Sequence, residues 1–106
     1  MSINISTTPT EGGCRVAVSG EVDVSNASAL RDVLDEQLSS GKGSLAIDLA
    51  EVPYIDSTGI GVLVGAAHRA KETGRTLSVE RPQRNVARVL SLLGVGADLN
   101  VTGAQQ

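Results

Sequence analysis

The residues best equipped for chemistry are Asp56, Ser57, Thr58, Gly59, Ile60 and Gly61, where a carboxylate and two hydroxyls run into two glycines. The apolar patch Val52 to Ile55 before them, and the helical spacing after them, place this run where an extended segment ends and a helix begins. Ser57 or Asp56 can cap that helix, and the N–H groups of its first turn point outward without an intrahelical partner. Such an end attracts anions, phosphate groups among them. Plain capping explains Asp56 and Ser57 equally well. It does not explain the glycines, each of which costs roughly 1 kcal/mol in a helix relative to Ala and calls for close approach by another backbone or a ligand.

Two rival chemistries use the same residues. Gly59-Ile60-Gly61-Val62-Leu63-Val64-Gly65 matches a variant of the dinucleotide fingerprint, and Glu80 follows about 20 residues later. Against it, Asp56, Ser57 and Thr58 intervene where the first glycine should follow the strand directly, and Asp56 would set a negative charge beside the pyrophosphate. A serine hydrolase needs a base near Ser57, but His68 stands 11 residues along the same helix, roughly 16 Å away at 1.5 Å per residue. There is no G-x-S-x-G elbow either. No catalytic residue is assigned. Cys14 and His68, each the only one of its type, leave the metal-ligand inventory nearly empty, so neither metal nor cofactor is expected.

The elements that must position this run follow from periodicity. Ile3 and Ile5 alternate with polar neighbours, Thr7 to Gly13 reads as a turn-rich break, and Cys14, Val16 and Val18 alternate again, which predicts a hairpin. After the acidic loop Glu21-Val22-Asp23, the residues Ala27, Leu30, Leu34 and Leu38 share one face of a helix from Ala27 to Ser40, capped by Ser25 or Asn26 and stopped by Gly41. Ser44 to Leu49 is a strand. Ile60, Leu63, Val64, Ala67 and Ala70 line the inner face of a second helix closed by Gly74. Arg75 to Glu80 is a further strand. Pro82 suits the first position of a third helix with inner face Val86, Val89, Leu90 and Leu93 and outer face Arg81, Arg84 and Arg88. Leu99 to Val101 is a last strand, and 102–106 a frayed tail. The order β-β-α-β-α-β-α-β predicts an α/β fold, a mixed and largely parallel sheet with an N-terminal hairpin and helices packed on it, forming one domain over residues 1–106 with its core at about 3–101.

Composition narrows the function. Phe and Trp are absent and Tyr54 is the single aromatic residue, which weakens functions built on aromatic stacking. The core must be filled by Val, Leu, Ile and Ala, with Gly59, Gly61, Gly65, Ala66 and Ala67 allowing near approach of neighbouring elements. The net charge of −3 argues against a nucleic-acid partner. It conceals a split: residues 1–66 hold 3 basic and 9 acidic groups, and residues 67–106 hold 6 basic and 3 acidic. No apolar stretch reaches the ~18 residues of a membrane span, no signal peptide is visible, and one cysteine suits a reducing cytoplasm.

The run from Val52 to Val95, preceded by Ser19 to Leu38, resembles the anti-sigma factor antagonists of the STAS family, bacterial regulators of sporulation and stress. Gly20-Glu21-Val22-Asp23 and Asp56 to Gly61 carry the likeness most specifically. In that family the serine after the motif aspartate is phosphorylated by the anti-sigma factor, a serine kinase. The unphosphorylated antagonist binds that kinase and frees the sigma factor, and a serine phosphatase resets the switch. The resemblance implies Ser57 as phosphoacceptor, Asp56 as its acidic neighbour and Asp23 as the matching loop acid, with Thr58, Gly59, Ile60 and Gly61 as the helix start shown to the partner. It implies a cytoplasmic regulator rather than an enzyme, a monomer or weak dimer without membrane attachment. A non-switching STAS scaffold or transporter-associated subunit, and a nucleotide-binding module, stay open as alternatives.

Overall fold

A computed structural model describes residues 2–105. Strands β1 (Asn4–Thr10), β2 (Gly13–Ser19), β3 (Ser44–Glu51) and β4 (Leu77–Glu80) form one sheet in the order β1-β2-β3-β4, with helices α1 (Ala27–Ser40), α2 (Ser57–Glu72) and α3 (Arg84–Leu92) between and after them. The hairpin β1–β2 is antiparallel, and β2–β3 and β3–β4 are parallel, each joined by a helical crossover. The fold is therefore the mixed α/β sheet that the order of elements predicts.

Period-2 alternation puts Val16 and Val18 of β2, Leu45, Ile47 and Leu49 of β3, and Leu77 and Val79 of β4 on one face, all fully or almost fully buried. Leu30 and Leu34 of α1, Leu63, Ala66 and Ala70 of α2, and Val86 and Leu90 of α3 join them in one apolar cluster. The cluster contains no aromatic ring. Gly13 is obligatory where β2 begins, because a Cβ there would lie 1.8 Å from the Ser44 carbonyl oxygen of β3.

The opposite face of the sheet carries charge. Asp48, buried on β3, accepts from Arg81 and, at 3.3 Å, from Arg15 of β2, whose other nitrogen lies 2.6 Å from Glu80. Burial pushes the Asp48 carboxyl up, but the Arg81 hydrogen bond, the Ala50 N–H and the charges of Arg81 and Arg15 outweigh it and hold the group below its ordinary value.

The structure departs from the sequence expectation toward the ends of the chain. β1 continues to Thr10, so the break is only the turn at Glu11-Gly12. β4 starts only at Leu77, because the Arg75 backbone N–H still closes the end of α2 by donating to the Ala70 carbonyl at 2.8 Å. No strand forms at Leu99 to Val101. Residues 96–100 turn through Asn100 at φ 47°, and only Thr102 bridges to Glu80. The tail is tied where fraying is expected: the Thr102 N–H donates to Val79 and the Gln105 N–H to Pro82. Pro82 precedes α3 rather than opening it, and Arg81, at φ 55°, lies outside the helix. Val89 and Leu93, expected inside, are exposed.

The charged face generates a pH prediction. Because the folded-state pKa of Asp48 is lowered, its contribution is present in full well above the ordinary value of 3.8 and fades as pH falls through the lower folded value. Asp48→Asn should cost about 1–2 kcal/mol at pH 7, between the worth of exposed and buried pairs. In denaturant titrations the gap from wild type should close below pH 3.8; a gap that stays constant to pH 2 rules this network out as its source.

Candidate functional site

The site lies where β2 and β3 end and the chain turns toward α1 and α2. The two exits run side by side: the Val22 N–H donates to the Tyr54 carbonyl at 2.9 Å, and the Asp56 N–H to the Val22 carbonyl at 3.0 Å. This short parallel bridge between Val22 and Ile55 extends the sheet past its regular strands.

Asp56 joins the two exits through its side chain as well. It is the N-cap of α2: one carboxylate oxygen accepts from the Gly59 N–H at 3.0 Å, and the other from the Val24 N–H of the neighbouring loop, also at 3.0 Å. Gly59 is buried beneath this clamp, where a Cβ would stand 2.7 Å from both Val22 and Ile55. The glycine at this place therefore serves packing within the chain. Ile60 is buried behind it.

Asp23 is held locally. Its carboxylate accepts from the Ser25 hydroxyl at 2.5 Å and the Ser25 N–H at 2.9 Å, and those hydrogen bonds lower its pKa. Its backbone is fixed by Asn26, which accepts from the Asp23 N–H and donates to the Glu21 carbonyl. Asn26 is buried and acts as the lock of the loop as well as the residue before α1.

The remaining predicted residues face outward. Ser57, Thr58 and Gly61 are exposed on the first turns of α2, and Asp56 is half-buried. A Cβ on Gly61 would meet nothing within 4 Å, and one on Gly65 only the Arg69 guanidinium at 3.5 Å. The expected close packing at these two glycines does not occur. The two loops that meet at this helix start carry two exposed residues that the sequence reasoning passed over: Val24, 75% exposed, and Tyr54, 49% exposed. The signal was available, since Tyr54 is the only aromatic residue in the chain and lies three positions before Ser57.

The cavity of about 420 Å³ bounded by His68, Lys71, Arg75 and Asp98 lies toward the other end of α2. Among the described residues no group of His, Cys, Asp and Glu side chains comes together as a metal cage would require, and no helix is long and apolar enough to cross a membrane. The Ser57 hydroxyl thus stands exposed at the N-terminus of α2, next to its cap Asp56.

Residues 5–102 match the family described as Mlab, STAS domain. The chain belongs to the STAS domain family. Over 106 residues this STAS domain is 31% identical to the anti-sigma-B factor antagonist of Bacillus subtilis, covering 100% of the chain and 96% of that protein. Its fold is similar to the crystal structure of an anti-sigma factor antagonist from Mycobacterium paratuberculosis, with a TM-score of 0.84, 26% identity, and coverage of 94% of this chain and 85% of that one. SpoIIAA, an anti-sigma factor antagonist solved in its unphosphorylated form, superposes with a TM-score of 0.80 at 16% identity, covering 99% and 90% of the two chains; at that identity the likeness is one of fold.

The clamp can be tested on stability. Asp56→Ala removes a helix cap and leaves the Val24 N–H without its partner, a loss of about 1–2 kcal/mol. Hydrogen exchange should speed up at Val24 and Gly59 in that variant while the β3 amides stay protected. Unchanged exchange at Val24 would show that the loop is held by something other than this carboxylate.

Proposed function

We propose that this STAS domain is an anti-sigma factor antagonist controlled by phosphorylation. Unphosphorylated, it binds an anti-sigma factor that is itself a serine kinase and thereby frees the sigma factor. Phosphorylation of Ser57 by that kinase ends the association, and a serine phosphatase restores it. The observation that carries the reading is the exposed Ser57 hydroxyl at the first position of α2, directly after the cap Asp56 and with the exposed Val24 and Tyr54 in the two adjoining loops.

The geometry supports a switch that acts at the contact. In the free chain a phosphate of about −1.5 to −2 charges gains ~0.3–1 kcal/mol from the α2 N-terminus and loses about 1 kcal/mol per unit-charge pair with an acidic group at 4 Å in water. The two nearly cancel. The Asp56 carboxylate is already engaged by two backbone N–H groups, so it need not move. Once a partner excludes water, the effective dielectric falls to about 20 and each such repulsion grows to roughly 4 kcal/mol, near a thousandfold in affinity. Burying the phosphate against Val24 and Tyr54 adds a desolvation cost of the same sign.

Asp23, Asp56, Ser57, Thr58, Gly59, Ile60 and Gly61 divide the work. Ser57 accepts the phosphoryl group. Asp56, Gly59 and Ile60 hold the helix start, Asp23 keeps a negative charge on the rim, and Thr58 and Gly61 offer surface. Gly61 supports docking most directly, since open space surrounds it and nothing inside the chain requires a glycine there.

Two measurements test the reading. When the chain is incubated with ATP and its cognate anti-sigma factor, mass mapping should find one phosphate, on Ser57; transfer to another residue, or none, refutes it. Gly61→Ala should raise stability by up to ~1 kcal/mol, as Gly-to-Ala changes in exposed helices do, and weaken binding of the anti-sigma factor by roughly tenfold through a clash at the contact. If affinity is unchanged, Gly61 lies outside the interface.

A further inference from the structure

Three of the large apolar side chains left exposed among the described residues belong to α3 or its end: Val89 at 37%, Leu92 at 79% and Leu93 at 56%. At 100° per residue, Asn85, Val89 and Leu92 (i, i+4, i+7) form one stripe, while Val86 and Leu90 point into the core. Arg84 and Arg88 border the stripe on one side. Both are exposed, neither takes part in an ion pair among the described residues, and residues 81–97 contain no acidic side chain. An apolar stripe edged by unpaired cations fits a ligand that is both acidic and apolar.

Its position is informative as well. The Asn85 side chain donates to the Pro53 carbonyl at 2.7 Å, so the stripe begins against the segment that carries Tyr54 and leads into Ser57.

We infer that the Asn85-Val89-Leu92 stripe with Arg84 and Arg88 is a second docking surface, which receives an acidic segment with apolar residues at helical spacing from the same anti-sigma factor that meets Ser57. The inference rests on the proposed function above and adds to it a site and a partner chemistry. A second copy of the chain fits less well. A two-fold contact through α3 sets Arg84 and Arg88 against themselves, and a contact with the acidic face of α1 is head-to-tail and does not close. Binding in two places also separates duties: the phosphate at Ser57 can disrupt one contact while α3 sets overall affinity and partner choice.

The test titrates the purified cognate anti-sigma factor into wild type, Leu92→Ser, and the double variant Arg84→Gln with Arg88→Gln. Both variants alter exposed side chains, so melting should stay at the wild-type temperature. Each should weaken binding by roughly tenfold or more, the arginine variant should show less loss of affinity on adding salt than wild type, and hydrogen exchange should slow across residues 84–93 in the complex. Wild-type affinity in both variants overturns the inference and leaves the function at Ser57 standing. Failure of wild type to bind the anti-sigma factor defeats both. Self-association in sedimentation that Leu92→Ser abolishes identifies a second copy as the occupant and also overturns the inference.

Discussion

Everything at the site depends on how two backbone N–H groups share one carboxylate. Asp56 accepts from Val24 on one side and from Gly59 on the other, both at 3.0 Å. The first bond belongs to the loop before α1, the second to the opening turn of α2. A single side chain therefore ties together the loop before α1 and the start of α2 that carries Ser57. Gly59 is part of the same constraint, since the helix start can sit this close to Val22 and Ile55 only without a side chain. The serine is free because its neighbours are not.

On the proposed reading, this arrangement lets a charge be added at Ser57 without disturbing the fold. The core lies on one face of the sheet and consists of aliphatic side chains that make no demand on the Ser57 surface. The charged groups that do bear on stability, Arg15, Asp48, Glu80 and Arg81, lie on the opposite face. Asp23 and Asp56 already have their hydrogen bonds within the loops. As proposed, a phosphate on Ser57 would meet a preformed electrostatic setting, and its effect would be felt where water is removed. The one aromatic ring of the chain lies outside the core: Tyr54 is half exposed, three positions before the serine.

The sequence disclosed the site better than its surroundings. Asp56-Ser57 before a helical run is a local signal, because capping depends on residues within one turn, and the predicted element order placed that run correctly. The hairpin and the parallel strands β2 and β3 were legible through period-2 alternation of Val16, Val18, Leu45, Ile47 and Leu49. What stayed hidden depends on long-range contacts. The tie from Asp56 to Val24 spans 32 residues, and the role of Asn26 as lock appears only when Glu21 and Asp23 are seen beside it. In α3 the pattern of Val86, Val89, Leu90 and Leu93 is wider than the face the helix buries, so an apolar residue meant for solvent looks the same as one meant for the core. Gly61 and Gly65 read as packing glycines in the sequence, yet open space surrounds the first and a single flexible guanidinium neighbours the second.

The central claim is that phosphate on Ser57 acts through the contact and not through the fold. The most direct measurement compares chain phosphorylated at Ser57 with unmodified chain, recording amide spectra of each alone and the affinity of each for the cognate anti-sigma factor. The account predicts shifts confined to Val24, Ser25 and residues 56–61, nearly equal melting temperatures, and an affinity lower by about a thousandfold. Shifts that run through β3 and α1, or phosphorylated chain that binds as tightly as unmodified chain, would contradict it.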